Sequence, residues 1–409
     1  MSKPHVAVIF GGRSVEHEVS VITGYQALEA LDRNRWNPFP VYIARDNVWF
    51  IGDRLESISF FRQEHPPLGD LTRVLPCPDA ARGKLVLMEA RPGALRRPKS
   101  VVIDCAIPAT HGTYGEDGRL QGLLEMAGVP YAGSGVTGSA VGMDKLLTKA
   151  VLARAALPFI DYRAVTSDIF AADPDAILTQ LESDLSFPLM VKPAVLGSSV
   201  AVTRADTRDE LRAALDLARR FGDRILVEKA LDDPTEINCA VLDGDPPVPS
   251  VLEQPVSGGS LLTFDEKYRG EGRKGKQKSA ISHQPSASRI DIPVCSPSTV
   301  TKGMASLKRL IPAPIPDELT QRIRQMAVDA FTETQAGGVA RVDFLIAQAG
   351  AIYVNEINNI PGSFAFYLWE YMGRSFRELL DRMIERAFEV NKRRNRTTYA
   401  FEANLLAGR

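Results

Sequence analysis

Two short apolar segments near the carboxyl end of the chain carry polar side chains at spacings that favour metal and phosphate chemistry. They run over 338–346 and 351–358 around a Gln-Ala-Gly turn, and their β-branched composition predicts a β-hairpin. Side chains alternate between the two faces of a strand. The chemically relevant residues are therefore paired on strand faces, Arg341 with Asp343 and Glu356 with Asn358. Carboxylate and amide oxygens suit Mg²⁺, which usually shares its ligands with substrate phosphates.

The same hairpin also fits a simpler interpretation, in which its acidic side chains are hydrated at the protein surface. Acidic residues are mostly exposed in folded proteins, so the spacing alone favours neither interpretation. The segments upstream of the hairpin have to decide between them.

Composition narrows the class of partner. The chain has 409 residues, enough for two or three domains, and a formal net charge of −1, which does not indicate nucleic acid or an anionic membrane. No apolar run approaches the ~20 residues that span a bilayer. Four scattered cysteines lack metal-site or disulfide spacing. We expect a cytoplasmic protein with small-molecule partners.

Alternating strand and helix patterns predict an α/β fold. A strand over 6–10, a Gly-Gly turn and a helix over 15–31 form a βα unit, and a further strand is expected over 101–107. The turn carries neither a dinucleotide-binding fingerprint nor a P-loop. Glycines between 131 and 138 are typical of a hinge. We predict an amino-terminal parallel-sheet domain over 1–138, a central unit over 139–229 and a carboxyl-terminal unit over 230–409.

Residues 258–316 stand apart because they are rich in Ser, Gly, Pro and Lys, with a basic run at 267–278. A loop of this length in a compact enzyme is usually an active-site lid or is disordered. A solvated tether without function is the alternative.

Lysines at the ends of predicted elements could bind phosphate. Lys192 ends a strand and precedes a Gly-Ser-Ser turn with Ser198 and Ser199, whose N–H groups and hydroxyls could hold phosphate oxygens. Lys145 opens a helix. Either lysine could instead simply cap its element, so the evidence from each alone is weak.

Eight motifs occur in order along residues 5–390 and together carry a family resemblance. They are Gly11-Gly12 with Glu16-His17-Glu18-Val19-Ser20, His111-Gly-x-x-Gly115-Glu116-Asp117-Gly118, Met143-Asp144-Lys145, Val191-Lys192-Pro193 with Gly197-Ser198-Ser199, Glu228-Lys229, Lys267-Tyr268, Arg341-Val342-Asp343, and Asn355-Glu356-Ile357-Asn358 with Pro361-Gly362. In this order they resemble the D-alanine–D-alanine ligases of the ATP-grasp superfamily.

The resemblance implies a three-domain ATP-grasp fold with a Rossmann-like amino-terminal domain, and a cytoplasmic homodimer. It assigns the ATP phosphates to Lys145, Lys192, Ser199 and Lys267, the adenine pocket to Glu228, Lys229, Ala230 and Leu231, and the ribose to Glu236. It assigns two Mg²⁺ ions, with Mn²⁺ as an alternative, to Asp343, Glu356 and Asn358.

The remaining roles concern the amino acid substrates. Glu16 would bind the first ammonium with Ser198 and Tyr268 as partners, His111 would lie beside the first carboxylate, and Arg341 and the Gly362 N–H would stabilise the oxyanion. The implied reaction activates one D-alanine as an acyl phosphate, which the amine of a second D-alanine attacks, for peptidoglycan precursor synthesis.

Two regions depart from the family pattern. Tyr367 occupies the position where we expect a serine that binds the second substrate, and Leu196 replaces a frequent acid. The lid segment is also enlarged over 269–316. These changes leave open a ligase that joins D-alanine to D-lactate or D-serine, or makes another dipeptide in a specialised pathway. A non-catalytic nucleotide-binding protein is the third alternative.

Overall fold

The structure is a computed structural model that describes residues 3–63, 66–79, 83–92, 97–197, 200–256 and 309–398. Its strands are β1 (His5–Gly11), β2 (Asn37–Ile43), β3 (Trp49–Ile51), β4 (Thr72–Asp79), β5 (Lys84–Glu89), β6 (Ser100–Ile103), β7 (Cys105–Pro108), β8 (Tyr162–Thr166), β9 (Leu189–Pro193), β10 (Thr203–Ala205), β11 (Arg224–Lys229), β12 (Thr235–Leu242), β13 (Val248–Pro255), β14 (Arg309–Leu310), β15 (Val339–Ile346) and β16 (Ile352–Asn358).

The α-helices are α1 (His17–Ala30), α2 (Ile58–Phe61), α3 (Arg119–Met126), α4 (Val136–Met143), α5 (Lys145–Arg154), α6 (Ser167–Ala172), α7 (Pro174–Leu185), α8 (Arg208–Ala218), α9 (Asp317–Glu333), α10 (Phe366–Glu370) and α11 (Phe376–Arg394). Short 3₁₀ helices lie at Asp53–Glu56, Leu68–Asp70 and Gly362–Ala365. Among the described helices, none is both long and apolar enough to cross a membrane.

The amino-terminal sheet has the order β6-β5-β4-β3-β2-β1-β7 and confirms the predicted α/β class. Parallel pairing is limited to β2-β1-β7, and the other strands pair in antiparallel fashion. The single strand expected over 101–107 is wrong, because Asp104 divides it into β6 and β7. The Asp104 carboxylate accepts hydrogen bonds from the His5 N–H and from Lys84, so a polar side chain interrupts the apolar run.

The central sheet is antiparallel, with the order β10-β9-β11-β8. Helices α7 and α8 contribute their apolar faces to its core, beside the fully buried side chains of Leu189, Val191 and Val227. The predicted strands over 189–192 and 225–228 are confirmed as β9 and β11. Pairing of these strands brings Lys192 close to Glu228, since Leu226 lies opposite Lys192 and Met190 opposite Glu228.

The third sheet has the order β14-β13-β12-β15-β16 and contains the predicted hairpin. Arg341 pairs with Asn358 and Asp343 with Glu356, so the four polar side chains share one face, as the alternation predicts. A bulge follows, because Phe344 pairs with Val354 and leaves Asn355 as the extra residue. Bulges re-aim side chains and are common beside active sites.

The carboxyl-terminal helices α10 and α11 share a buried core with one face of the amino-terminal sheet, where α11 contacts β7 and α10 contacts β13 of the third sheet. Leu368 and Ile384 lie in the same buried cluster as Val6 and Phe10 of β1. The indole N–H of Trp36 donates to Asp381 of α11 at 2.6 Å. This packing holds the ends of β1 and β7 next to the segment that follows the hairpin. The three sheets lie in separate stretches of the chain, and the domain boundaries at 138 and 229 stay a prediction.

Candidate active site

A cavity lies where the three sheets approach one another. Residues from each part of the chain line it, including Glu116, Lys145, Thr148, Gly197, Glu356 and Asn358. Three of these were predicted from the sequence to bind phosphate or metal, and the fold brings them to one place.

The hairpin places a buried ion pair at the edge of this cavity. Arg341 donates from Nε to Asp343 Oδ1 at 2.6 Å and from Nη2 to Oδ2 at 2.7 Å, and Asn358 Nδ2 donates to Oδ2 at 2.9 Å. Asp343 is only 1 % exposed. Burial alone would lower the pKa of Arg341, but the adjoining carboxylate outweighs it and raises that pKa above its usual value. The interpretation of hydrated surface acids is therefore wrong for Asp343.

The donor set of the hairpin fits a small divalent cation. Within the part of the chain that the structure describes, no cluster of three or more His, Cys, Asp or Glu side chains is arranged to hold a metal ion. Asp343, Glu356 and Asn358 instead offer two carboxylates and one amide. Mg²⁺ typically uses one or two carboxylates and completes its octahedron with water and phosphate oxygens.

Three charged side chains form a buried chain behind the predicted phosphate site. Glu228 lies between Lys192, whose Nζ is 2.5 Å from Oε1, and Lys149, whose Nζ is 2.9 Å from Oε2. Lys192 also donates to Oδ1 of the bulged Asn355 at 3.2 Å. Burial would raise the pKa of Glu228, but the two lysines hold it below its ordinary value. Glu228 is thus ionised, and its side chain binds lysines.

Lys149 was not among the residues predicted from the sequence, although a signal for it exists. It lies four residues after Lys145 on α5, so both lysines project from one face of that helix. Lys145 Nζ donates to the Leu196 carbonyl at 2.5 Å, in the loop that follows β9. Burial lowers the pKa of Lys145, and Glu356 opposes that effect. Asp144 caps α5 through the N–H groups of Leu146 and Leu147 and fixes where the helix begins.

Glu16 is buried at the amino-terminal side of the cavity. Two glycines crowd its carboxylate, because an added Cβ would lie 2.6 Å from Oε2 at Gly112 and 2.7 Å from Oε2 at Gly197. Gly112 also has a φ of +70°, which disfavours any other residue. Glu116, for which the sequence predicted no role, accepts hydrogen bonds from the N–H groups of Gly112 at 2.8 Å and Ile360 at 3.2 Å. Burial and the neighbouring Glu16 raise the pKa of Glu116 to about 8.

His111 is buried and neutral. One ring nitrogen, Nε2, lies 2.9 Å from Oγ1 of Thr23, which also accepts the N–H of Ser363 at 3.2 Å. Burial lowers the pKa of His111 to about 4, with a hydrogen bond to the Ile360 backbone acting in the opposite direction. The imidazole and Thr23 therefore link the end of β7, α1 and the segment after the hairpin.

The segment after Pro361 is conformationally unusual. Ser363, Phe364 and Ala365 all have left-handed backbone, with φ of 56°, 51° and 49°. Three consecutive non-glycine residues in this region are strained, and such strain clusters at functional sites. It carries the chain from Gly362 into α10 and buries Tyr367.

The Tyr367 side chain is buried against other side chains and does not face open space. Its hydroxyl donates to Glu253 Oε1 at 3.1 Å, and the Arg309 guanidinium lies 3.9 Å from its ring centroid while Nη1 contacts Glu253 Oε2 at 2.6 Å. Burial and then Glu253 raise the pKa of Tyr367 far above its usual range. Its role towards a second substrate stays a prediction.

Several predicted site residues lie elsewhere or beyond the described residues. Ser198, Ser199, Lys267 and Tyr268 lie outside them. Lys229 is exposed, and the Ala230 N–H donates to the Pro188 carbonyl at 2.9 Å. Leu231 and Glu236 are partly buried, the latter near the start of β12. The adenine and ribose roles of this segment stay predictions.

Comparison with known proteins finds relatives that match nearly the whole chain. The family model for the D-ala D-ala ligase N-terminus matches residues 5–134, and that for the C-terminus matches 151–291 and 301–385. The D-alanine–D-alanine ligase of Thermosipho africanus is 33% identical over 401 residues, 98% of each chain. That of Heliobacterium modesticaldum is 35% identical over 390 residues, 94% of each chain.

Solved structures give the same result. The D-alanine-D-alanine ligase from Coxiella burnetii has a TM-score of 0.75 at 27% identity, covering 97% of each chain. The VanG D-Ala:D-Ser ligase from Enterococcus faecalis has a TM-score of 0.73 at 25% identity, covering 94% of this chain and 100% of the other. The fold is thus ATP-grasp, and the chain belongs to the D-alanine–D-alanine ligase family of ATP-dependent ligases.

Proposed function

We propose that this enzyme joins two molecules of D-alanine with conversion of ATP to ADP and phosphate, as a step of peptidoglycan precursor synthesis. The observation that carries the proposal is the buried Arg341–Asp343 pair, with Glu356 and Asn358 beside it and Lys145 facing the same cavity. This arrangement combines oxygen ligands for a cation with positive charge for phosphate.

The reaction needs ATP because a carboxylate is a poor electrophile. Transfer of the γ-phosphoryl group to the first D-alanine gives an acyl phosphate, and phosphate then becomes the leaving group. Lys145 and Lys192 neutralise charge on the phosphoryl oxygens, an effect of positioning and electrostatics. Asp343, Glu356 and Asn358 would hold two Mg²⁺ ions, which supply further charge neutralisation at the transferred group.

Attack by the second amine places negative charge on the acyl oxygen. The ion pair with Asp343 uses Nε and Nη2 of Arg341, so we assign oxyanion stabilisation to Nη1 together with the Gly362 N–H. The left-handed turn after Gly362 supports this role, because it fixes the direction of the backbone there.

The first substrate would lie between the amino-terminal sheet and the cavity. Glu16 provides a buried carboxylate for its ammonium group, and neutral His111 provides a hydrogen-bonding wall beside its carboxylate. Ser198, Tyr268 and Lys267 would complete this site, and residues 258–316 would form its lid. We also propose a cytoplasmic homodimer that takes no nucleic acid or membrane partner.

A second candidate function concerns the nucleophile. Tyr367 fills the position expected for a serine, and its hydroxyl is held by Glu253. One structural relative is a D-Ala:D-Ser ligase. The alternative is therefore transfer of the activated D-alanine to D-serine, D-lactate or another amino acid.

Product analysis with a panel of acceptors tests both functions. The enzyme is incubated with ATP, Mg²⁺ and D-alanine, alone or with D-serine, D-lactate or L-amino acids, and products are identified by mass spectrometry. The proposal expects D-alanyl-D-alanine as the main product. A preference for another acceptor would favour the alternative, and absence of ATP turnover in every mixture would indicate a non-catalytic nucleotide-binding protein.

A further inference from the structure

We propose that Lys149 is a positioning residue that keeps the positive charge of Lys192 available to the phosphates of ATP. The inference rests on the proposed phosphate-binding role of Lys192. It assigns this positioning role to a lysine that does not line the cavity.

Three buried charges contact one another in the order Lys192, Glu228 and Lys149. Glu228 is 2 % exposed and Lys149 is 2 % exposed. The Glu228 carboxylate contacts Lys192 through Oε1 at 2.5 Å and Lys149 through Oε2 at 2.9 Å. Each carboxylate oxygen therefore serves a different lysine.

Lys149, at the end of this arrangement away from the cavity, is surrounded by protein groups. Lys149 Nζ donates to the Ile160 carbonyl at 3.0 Å, and it lies 5.4 Å from the ring centroid of Phe159 and 5.3 Å from that of Tyr162. Lys149 is not among the residues that line the cavity. It therefore does not contact a phosphate bound in the cavity, and its ion pair on that side is with Glu228.

The near end of the arrangement points towards the catalytic hairpin. Lys192 Nζ donates to Asn355 Oδ1 at 3.2 Å, and Asn355 is the extra residue of the bulge that precedes Glu356. Two groups therefore position the Lys192 ammonium. They are the Glu228 carboxylate behind it and the side-chain amide of Asn355 beside the cavity.

The charges decide what Lys149 does. Two lysines and one carboxylate sum to +1, whereas Lys192 and Glu228 without Lys149 sum to zero. In a buried site such a neutral pair attracts an anion far less than a net cation does, because little solvent screens the difference. Lys149 therefore offsets Glu228, so that Glu228 can hold Lys192 in place without cancelling its charge.

Nucleotide binding to the full chain tests this inference without requiring ligation. Dissociation constants for ATP, ADP, AMP and adenosine are measured by calorimetry for wild type, Lys149→Met, Lys149→Arg and the double variant Lys149→Met/Glu228→Gln. We expect Lys149→Met to weaken ATP binding by about tenfold or more and ADP binding by less. Its dissociation constant for adenosine should stay within about twofold of wild type. Lys149→Arg keeps the charge and should stay within about threefold of wild type for ATP.

The double variant is the decisive arm. Removing Glu228 together with Lys149 leaves Lys192 as the one charge of the three, so the sum returns to +1 and ATP affinity should recover at least partly. A role confined to packing predicts the opposite, since two buried groups are then lost. Thermal midpoints are measured alongside. If Lys149→Met does not fold, Lys149→Gln takes its place with the same expectations.

Steady-state kinetics give an independent readout. The KM for ATP should rise in Lys149→Met, while the KM for D-alanine stays within about twofold of wild type. Equal losses for adenosine and ATP, or ATP binding unchanged in Lys149→Met, would overturn the inference. If the variants show the expected pattern of nucleotide binding but wild type makes no dipeptide, the inference stands and the proposed function is contradicted.

Discussion

Arg341 and Asp343 lie two residues apart on one strand and form a two-point ion pair on a single face of the sheet. The pair is buried, and its partner strand supplies Glu356 and Asn358 opposite it. An arginine that would stabilise an oxyanion is therefore fixed by a carboxylate that would bind a metal. One hydrogen-bonded unit would thus position both the proposed oxyanion donor and a proposed ligand of the cation.

The first prediction concerns this unit. Asp343→Asn keeps the size of the side chain but removes the charge that binds both Arg341 and a cation. We expect the rate of ligation in Asp343→Asn to fall by at least about 10²-fold and not to recover when Mg²⁺ is raised. Variants of Glu356 or Asn358 keep the Arg341–Asp343 ion pair, and raised Mg²⁺ should restore part of their activity. Steady-state rates across a Mg²⁺ titration provide the measurement.

Arg341→Lys serves as the matched variant, because it keeps the charge but cannot form the two-point contact. We expect a loss of about 10²–10³ in kcat, the usual effect of removing one oxyanion donor. Wild-type kcat in Arg341→Lys would contradict the oxyanion assignment.

The second prediction concerns the glycines around Glu16. In Gly197→Ala the added methyl would lie 2.7 Å from Glu16 Oε2, so the carboxylate must move. We expect the KM for the first D-alanine to rise by about tenfold or more, with a smaller effect on ATP. Gly122→Ala is the control, since a Cβ there meets no atom within 4 Å. It should leave both KM values unchanged and, being within α3, slightly stabilise the protein.

The third prediction is a pH dependence of stability that depends on His111. Its pKa falls from the ordinary 6.5 to about 4 on folding. Between these values the unfolded chain binds a proton that the folded chain does not, so the free energy of unfolding decreases as pH falls from 6.5 to 4. The contribution is fully present above pH 6.5 and amounts to about 3 kcal/mol at most.

His111→Gln retains a nitrogen donor but cannot titrate. We expect chemical denaturation to show a weaker loss of stability between pH 6.5 and 4 in His111→Gln than in wild type, with a constant offset above pH 7. Parallel curves over the whole range would show that His111 does not titrate as the burial implies.

The fourth prediction concerns Tyr367. Tyr367→Phe removes one of the two donors to Oε1 of buried Glu253, the other being Asn238, and should cost about 1–3 kcal/mol of stability, because a hydrogen bond to a buried carboxylate is lost. Tyr367→Ser removes the phenol ring and leaves space next to Glu253 and Arg309. If Tyr367 limits the second substrate, Tyr367→Ser should broaden the range of acceptors in competition assays with D-alanine, D-serine and D-lactate, whereas Tyr367→Phe should not.

Local patterns in the sequence predicted the elements that carry the site. The hairpin and the strands that end near Lys192 and Glu228 follow from short apolar runs, and the shared face of the hairpin follows from side-chain alternation, both of which depend on neighbours in the chain. The division at Asp104 was missed because its partners, His5 and Lys84, are distant in sequence.

Contacts between elements that are distant in the sequence could not be predicted either. The contact of Glu228 with Lys149 joins a strand of the central sheet to α5, and that of Glu116 with Ile360 joins the loop after β7 to the segment after β16. Such pairs arise only when the sheets are assembled. The bulge that turns Asn355 towards Lys192 likewise depends on the register between two strands.

The most direct test of the central claim is the fate of carboxylate oxygen. D-alanine labelled with ¹⁸O in its carboxylate is incubated with the enzyme, ATP and Mg²⁺, and the inorganic phosphate is analysed by mass spectrometry. Activation as an acyl phosphate predicts one ¹⁸O in each phosphate released, together with one dipeptide for each ADP. Phosphate that carries only unlabelled oxygen while dipeptide accumulates would contradict the account.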